Sequence, residues 1–276
     1  MRLLAQSCRR LHFREPLGLR FYATPAPDGP AVTATNRAAA TLKRFWNTVD
    51  VESHNQGLVV TLDGRPLKTP SNNVLVIPPH RPILASLIAS EWDNLDKVIK
   101  SHALPMTSIA SRAVDGLNDH ATRSEVVKNL LNYLQTDTIC FHESHPPALV
   151  DLQKIHWDPI LHWARETYSV EIKTFETILR PSQPAASLQT FERELSNFDT
   201  WELAALERAV YSTKSFLVAF ALLKQRLSVE EAAQASEVEV RSQIQRWGEV
   251  EDSHDVDYQD IRRLLGSVAC VLLREG

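Results

Sequence analysis

Near the carboxyl end, two amphipathic segments meet at Gln245-Arg246-Trp247-Gly248-Glu249-Val250-Glu251-Asp252-Ser253-His254-Asp255. Glycine adopts the left-handed conformation that ends many helices without a Cβ penalty. Gly248 therefore predicts the end of one helix. The acids after it favour the start of the next helix, because negative side chains stabilise the positive end of the helix dipole. The stretch is predicted to be a corner between two helices.

The same stretch also carries residue types that bind metals. On a helix, Glu251, His254 and Asp255 lie within four positions of one another and can face the same way. Carboxylates and imidazoles are ligands for divalent cations, so one hypothesis is a metal-dependent hydrolase that uses these three residues. No second cluster in the sequence supplies further ligands, and the pattern is weaker than an HExxH motif. We therefore favour the helix-corner interpretation and assign no metal site.

The bulk composition indicates an ordinary globular chain. It has 276 residues, of which 43% are hydrophobic and 23% are charged, which is typical of soluble domains. No apolar run approaches the ~20 residues that a membrane helix needs. The longest such run, residues 215–223, predicts a buried helix. We expect no integral membrane segment.

The first 22 residues differ from the rest in charge. They contain five arginines and a single acid, Glu15, with leucines interspersed. An arginine-rich, acid-poor amphipathic start is typical of a mitochondrial presequence. Arg20 precedes Tyr22-Ala23 as in a matrix-peptidase site, which predicts cleavage after Tyr22 and a location in the mitochondrial matrix. Residues 23–42, rich in Pro, Ala and Thr, are predicted to be a flexible linker.

Removal of residues 1–22 makes the chain more acidic. It takes away five basic residues and one acid, so the formal net charge changes from −4 to −8. An acidic protein is a poor partner for nucleic acid, so we expect no nucleic-acid ligand. Only Cys140 and Cys270 remain, and two distant cysteines form no disulfide framework or zinc knuckle.

The amino-terminal part of the mature chain predicts a β-hairpin. Leu58, Val60 and Leu62 alternate with other residues at the period of a strand, and Asp63-Gly64 follows directly. Asp-Gly is the strongest short hairpin signal, because both central turn residues need a positive φ. A return strand is predicted over residues 65–69, at the sheet edge because Pro66 cannot donate a ladder hydrogen bond. A further strand is predicted over residues 74–77.

The remaining pattern is mainly helical. The apolar spacing predicts a helix within residues 80–97. Further helices and two short strands are assigned as follows: helices at 106–117, 125–134, 149–157, 160–168, 188–198, 200–220 and 229–247, a last helix beyond residue 255, and strands at 138–141 and 170–174. The predicted fold class is α+β, with a small antiparallel meander and helices at the amino-terminal side and a carboxyl-terminal orthogonal helical bundle. We expect an amino-terminal α/β domain over 43–122 and a mainly helical domain over 123–276.

A capping box opens the helix predicted from residue 229. The Ser228 hydroxyl can accept the Glu231 backbone N–H, and the Glu231 carboxylate can reach back to the Ser228 N–H. Glu230 is not needed for this box. Its charge suits the helix dipole, but it is also predicted to face solvent or a partner.

Sequence templates for catalysis are absent. The chain has 8 glycines, and none forms a GxGxxG or GxxxxGK loop. There is no GxSxG elbow. Asp137 is a candidate functional acid, but a turn residue that accepts a hydrogen bond from its own backbone is the simpler interpretation. We expect no enzyme activity, no catalytic residue and no cofactor.

Six short motifs occur in order along the chain: Arg44-Phe45-Trp46, Leu62-Asp63-Gly64-Arg65-Pro66-Leu67-Lys68-Thr69-Pro70, Glu91-Trp92-Asp93, Thr136-Asp137-Thr138-Ile139-Cys140, Trp157-Asp158-Pro159 and Trp247-Gly248-Glu249-Val250-Glu251-Asp252-Ser253-His254-Asp255. Together they resemble the mitochondrial F1-ATPase assembly chaperones that bind the alpha subunit. The resemblance covers residues 43–272. Trp46 stands where the family usually has Tyr, and Ser253 where it usually has Ala.

The resemblance implies a non-enzymatic chaperone. It implies binding of the free F1 alpha subunit, whose exposed interface would otherwise aggregate, until the beta subunit replaces the chaperone. The functionally important glutamate of the family matches Glu230, which the resemblance makes a partner-binding residue. We add Glu249 and Glu251 as further partner-binding candidates, because we expect these acids to be exposed. We expect the free protein to be a monomer.

Overall fold

The structure is a computed structural model that describes residues 43–177 and 181–274. The predicted presequence (1–22) and linker (23–42) lie outside the described residues. Within the described ranges, a small antiparallel sheet of four strands is followed by eleven α-helices. This architecture confirms the predicted α+β fold class.

The sheet is built on the predicted hairpin. Strand β1 (Val49–His54) pairs antiparallel with β2 (Gly57–Leu62), and Val51 stands opposite Val60. Asp63 and Gly64 have φ angles of 48° and 72°. Both turn residues are therefore left-handed, as an Asp-Gly hairpin requires. The prediction of this turn is confirmed.

The other two strands are shorter than predicted. Strand β3 contains only Arg65–Pro66 and strand β4 only Val76–Ile77, and both pair with β2. Pro66 lies on the edge strand, as predicted, because it has no N–H to donate. Beyond it, the Leu67 N–H still donates to the carbonyl of Val60, at 2.8 Å.

Helix α1 (Pro82–Asp93) packs on β1 and β2 and buries Leu84, Ala85 and Ile88. At its end, the Glu91 carboxylate accepts hydrogen bonds from the N–H groups of Met106 (2.7 Å) and Thr107 (2.9 Å). These groups belong to the first turn of α2 (Pro105–Asp115). Glu91 thus supplies the acceptors that the start of α2 lacks.

Four helices follow in the middle of the chain: α3 (His120–Gln135), α4 (Pro147–His156), α5 (Asp158–Tyr168) and α6 (Ala185–Ser196). The Asp119 side chain caps α3 by accepting the Thr122 N–H at 2.8 Å. The pair Asp158-Pro159 predicts Asp158 as the N-cap of α5, and this prediction is wrong, because Trp157 holds the N-cap position. Asp158 is the first residue of that helix, where its charge still faces the positive end of the dipole.

Two predicted strands are wrong. Residues 138–140 form a 3₁₀-helix (Thr138–Cys140), which the Asp137 side chain caps. Residues 170–174 lie in no strand. The Gln183 side chain there accepts the Lys173 N–H and donates to the Lys173 carbonyl, both at 2.9 Å. An amide side chain thus takes the place of a neighbouring strand.

Helices α7 (Thr200–Thr213) and α8 (Phe216–Leu223) form the centre of the helical part. The prediction of one helix over 200–220 is wrong, because left-handed Lys214 ends α7 and Ser215 caps α8. Helix α7 packs against α2, α8 and the last helix. Nearly every residue of α8 is buried, which fits its uniformly apolar sequence. The centre of the Phe220 ring lies within 6.0 Å of the ring centres of Phe198, Phe191 and Phe216.

The last three helices are α9 (Val229–Ser236), α10 (Val238–Trp247) and α11 (Glu251–Leu272). The prediction of one helix over 229–247 is wrong, because the helix is interrupted at Glu237. The Gly248 φ angle of 89° confirms the predicted helix stop. Helix α2, from the predicted amino-terminal domain, packs on α7 and α11 of the predicted helical domain. The division into two domains at 122/123 stays a prediction. None of the described helices is long and apolar enough to cross a bilayer.

Candidate partner-binding surface

An open groove lies beside the corner between α10 and α11. We call it the C-terminal groove. Its volume is about 830 Å³, and its walls come mainly from α7, α10, α11 and the links between them. The lining residues are Leu152, Arg208, Tyr211, Ser212, Lys214, Ser236, Glu237, Val240, Arg241, Ile244, Gln245, Glu249, His254, Asp257, Tyr258, Asp260, Ile261 and Leu264.

The groove and its rim expose large apolar side chains. Val240 and Tyr258 line the groove and are 40% and 42% exposed. Trp247, Val250 and Val256 beside it are more than half exposed. An exposed patch of this kind, bordered by charged residues, is typical of a protein-interaction surface.

Glu230 stands at the second position of α9 and forms an ion pair with Arg262 of α11. Arg262 Nε and Nη2 lie 2.8 Å and 2.9 Å from the two Glu230 carboxylate oxygens. Gln234 Nε2 adds a third hydrogen bond at 2.8 Å. The Glu230 side chain is still 50% exposed. It therefore faces solvent as expected, but its charge is already held by α11.

Arg262 connects three elements. Its Nη1 also donates to Glu237, at 3.1 Å, and to the Tyr258 carbonyl, at 2.9 Å. Its guanidinium carbon lies 3.3 Å from the centre of the Tyr258 ring, a cation–π contact. Arg262 thus joins Glu230 of α9, Glu237 at the helix break and Tyr258 in the groove wall.

The ion pair shifts the pKa values of both partners. The hydrogen bonds from Arg262 lower the pKa of Glu230 below its ordinary value. Burial disfavours the charge on Arg262, but hydrogen bonds to Glu230 and Glu237 outweigh it and raise the pKa of the guanidinium. Both groups are therefore fully charged at neutral pH.

The other two predicted binding acids lie at the corner itself. Glu249 is exposed and lines the C-terminal groove. Glu251 is the first residue of α11, and its side chain lies outside the described residues. Glu230 does not line this groove. Its carboxylate accepts hydrogen bonds from Arg262 and Gln234.

His254 has a local structural partner. Its Nδ1 accepts the Val250 N–H at 3.0 Å, which satisfies a backbone donor at the start of α11. Asp255 is exposed. Among the described side chains, no group of three or more His, Cys, Asp or Glu is placed to hold a metal ion.

Asp137 is a buried structural acid. Its Oδ2 accepts the Leu217 N–H at 2.8 Å and its Oδ1 the Ile139 N–H at 3.2 Å. Burial raises the pKa of Asp137 to about 6, although hydrogen bonds from Ser215 and these N–H groups oppose the rise. The residue caps both the 3₁₀-helix and α8, which extends the simpler interpretation of it as a turn residue.

Sequence reasoning missed Arg262, Glu237 and Tyr258. Tyr258 and Arg262 are four apart, a spacing that places side chains on one face of a helix. That spacing could have signalled their contact. The pairing of Arg262 with Glu230 spans 32 residues, and no local pattern indicates it.

Comparison with known proteins points to one family. A model of the family described as "ATP12 chaperone protein" matches residues 43–165. A relative from Schizosaccharomyces pombe, "Protein atp12, mitochondrial", is 34% identical over 235 residues, which cover 82% of this chain and 81% of the relative. "Protein ATP12, mitochondrial" of Saccharomyces cerevisiae is 31% identical and covers 88% of this chain and 87% of its own length.

A solved structure shares the fold. The crystal structure of Atp12 from Paracoccus denitrificans superposes with a TM-score of 0.73 at 27% sequence identity. The match covers 84% of this chain and 99% of the bacterial one.

Proposed function

The chain belongs to the ATP12 chaperone family, a family of chaperones and not of enzymes, and on that premise we propose that it assists assembly of the mitochondrial F1 ATP synthase. Its client is the free alpha subunit, which it shields in the matrix until the beta subunit takes over the same surface. Both curated relatives are named as mitochondrial proteins, which supports the proposed compartment.

The C-terminal groove is the observation that carries this proposal. A chaperone for an unassembled subunit must offer apolar surface without aggregating itself. The groove meets that need because exposed Val240 and Tyr258 lie among charged residues. Glu230, Glu249 and Glu251 are proposed as partner-binding residues at this end of the molecule.

The mixed apolar and charged composition of the C-terminal groove also favours reversible binding of the client. Binding residues that are partly exposed and bordered by charges form a moderate interface, which a competing subunit can displace. The proposal needs no bound nucleotide, because release is driven by the beta subunit.

Co-purification tests the proposal. The mature chain, residues 23–276, is mixed with free alpha subunit, and the complex is isolated by size exclusion. We expect a complex to form. Added beta subunit should dissociate it in proportion to the amount of beta subunit. A mature chain that binds no alpha subunit, or binds assembled F1 as well as free alpha, contradicts the proposal.

A further inference from the structure

A second groove lies at the amino-terminal side. We call it the hairpin groove. It has a volume of about 1120 Å³ and lies between the β-hairpin and α2. Its apolar lining includes Phe45, Pro66 and Trp92, and Phe45 is 70% exposed. All of its lining lies within the residues that the family model matches.

A small depression lies between the two grooves. It measures about 240 Å³ and lies between α2 and α7. It shares Arg208 and Tyr211 with the C-terminal groove and Ser108 and Arg112 with the hairpin groove. The three depressions therefore adjoin one another across α7 and α2, and together we call them the trough.

The floor of the trough is held rigidly. Arg112 Nε and Nη2 lie 2.8 Å and 2.9 Å from the carboxylate oxygens of buried Glu207, a bidentate pair between α2 and α7. Asp115, the last residue of α2, accepts hydrogen bonds from Thr69 Oγ1 (2.6 Å) and Asn73 Nδ2 (2.9 Å). Since Glu91 holds the first turn of α2, both ends of this helix are tied to their neighbours. These contacts preorganise the part of the trough that α2 forms.

The apolar end is also preformed. The Phe45 ring meets the Trp46 ring edge-to-face at 5.1 Å, and Trp46 in turn packs on Trp92 at 5.1 Å. Trp92 Nε1 donates to Thr107 Oγ1 at 3.1 Å. Buried Trp46 therefore supports Phe45 from behind while the Phe45 ring stays open to a partner.

Positive charge lies on the rim of the hairpin groove. Arg65 and Lys68 are exposed, and neither forms an ion pair within the described part of the chain. Lys68 Nζ donates only to a neutral amide oxygen, that of Asn72, at 3.1 Å. Asp63 lies near Arg65 and offsets part of its charge, while its Oδ1 accepts the N–H groups of Asn47 (3.0 Å) and Thr48 (2.9 Å). On a mature chain of expected net charge −8, two exposed cations at one rim would favour a carboxylate on a partner.

We propose that the trough binds one continuous segment of the client chain, with apolar side chains in both grooves and an Asp or Glu against Arg65 and Lys68. The proposal rests on the proposed chaperone function and extends its binding surface from the C-terminal helices to the hairpin. The lining residues that neighbouring depressions share and the positive charge at the hairpin end carry it.

Charge reversal at the rim tests the proposal. The mature double variant Arg65→Glu with Lys68→Glu is compared with Lys128→Glu with Lys154→Glu, which makes the same charge change at exposed positions outside all three depressions. We expect the rim variant to bind free alpha subunit about tenfold more weakly and the control to bind within about twofold of wild type. Thermal unfolding of both variants checks that the fold is intact.

Photo-cross-linking provides a second, direct readout. Benzoylphenylalanine replaces Phe45 in one sample and Tyr211 in another. We expect cross-links from both positions to one contiguous stretch of the alpha subunit. Cross-links from position 45 to residues 23–42 of the same chain, to a second copy, or to nothing overturn the proposal.

Failure of the trough differs from failure of the chaperone proposal. If the rim variant binds like wild type while Val240→Asp weakens binding, the client occupies the C-terminal groove alone and only the trough is wrong. If wild type binds no alpha subunit at all, both proposals are wrong.

Discussion

The central pair α7–α8 and the corner between α10 and α11 differ in how far their apolar and acidic side chains are buried. In the pair, phenylalanines are buried against one another, and the acid Asp137 is buried with its oxygens on backbone N–H groups. At the corner, Trp247 and Val250 are exposed, and the acid Glu230 pairs with Arg262 at the surface. The first arrangement stabilises the fold, and the second leaves a surface to which a partner can bind.

This difference separates stability from binding. A buried side chain loses packing and leaves a cavity when it is truncated. An exposed side chain loses little in the free protein, so any large effect of its replacement must come from the complex. Substitutions of the same type in the two regions therefore test whether the corner is a functional surface.

The largest expected effect is on the core. Phe220→Ala removes a ring packed on several others, and we expect the free energy of unfolding to fall by about 4 kcal/mol. Phe45→Ala is the matched control, since Phe45 is 70% exposed, and we expect a change within about 0.5 kcal/mol. Urea denaturation of both variants measures this. Equal losses would contradict the distinction between the buried pair and the exposed surface.

The next effect concerns buried and exposed caps. Asp137→Asn removes one of two acceptor oxygens from a buried site, and we expect a loss of about 2 kcal/mol at pH 7.5. Because burial raises the pKa of Asp137 to about 6, the wild type gains stability from this group as the pH falls from 6 towards 4. The stability difference between wild type and the Asp137→Asn variant should therefore grow by roughly 1 kcal/mol at pH 5.

Asp119 is the exposed counterpart of Asp137. Hydrogen bonds from Thr122 lower the pKa of Asp119, so its contribution is present at neutral pH and is lost as the pH falls through that lowered value. The stability difference for Asp119→Asn should shrink in acid, where that for Asp137→Asn grows. Denaturation at pH 7.5, 5 and 3 measures both stability differences, and a change of the same sign with falling pH for the two variants would contradict the two environments.

A smaller change in stability is expected at Glu230. Glu230→Lys breaks an exposed ion pair, which contributes about 0–1 kcal/mol, so folding should stay near native while alpha binding weakens. The variant Arg262→Gln, which removes the ion pair but keeps the Glu230 charge, separates two roles. Equal loss of binding in Arg262→Gln would mean that Glu230 acts through its ion pair with Arg262. Loss in Glu230→Lys alone would mean that Glu230 contacts the client, as the family resemblance implies. A collapse in thermal stability of Glu230→Lys would instead make the residue structural.

Local signals explain what the sequence predicted. Asp63-Gly64, Gly248 and the Ser228–Glu231 capping box depend on neighbouring residues, and all three appear in the structure. The expectation at 170–174 failed because Gln183 satisfies the backbone of Lys173 from outside the local pattern. The helix at 229–247 is divided at Glu237, which pairs with distant Arg262.

The candidate site was predicted only in part. Glu230 and Glu249 lie where the sequence placed them, at the start of one helix and beside the corner. The groove itself was not foreseen, because its walls come from α7, α10 and α11, which are distant in sequence. The roles of Glu230, Glu249 and Glu251 in binding remain predictions.

The most direct test of the corner as the client surface uses two valines of equal exposure. Val240 in the C-terminal groove is 40% exposed, and Val51 on β1 is 39% exposed. The affinity of mature Val240→Asp and Val51→Asp for immobilised free alpha subunit is measured by biolayer interferometry, with thermal unfolding as the control for folding. We expect Val240→Asp to bind at least about tenfold more weakly and Val51→Asp to bind like wild type. Equal affinity of the two folded variants would contradict the assignment of the C-terminal groove as the client surface.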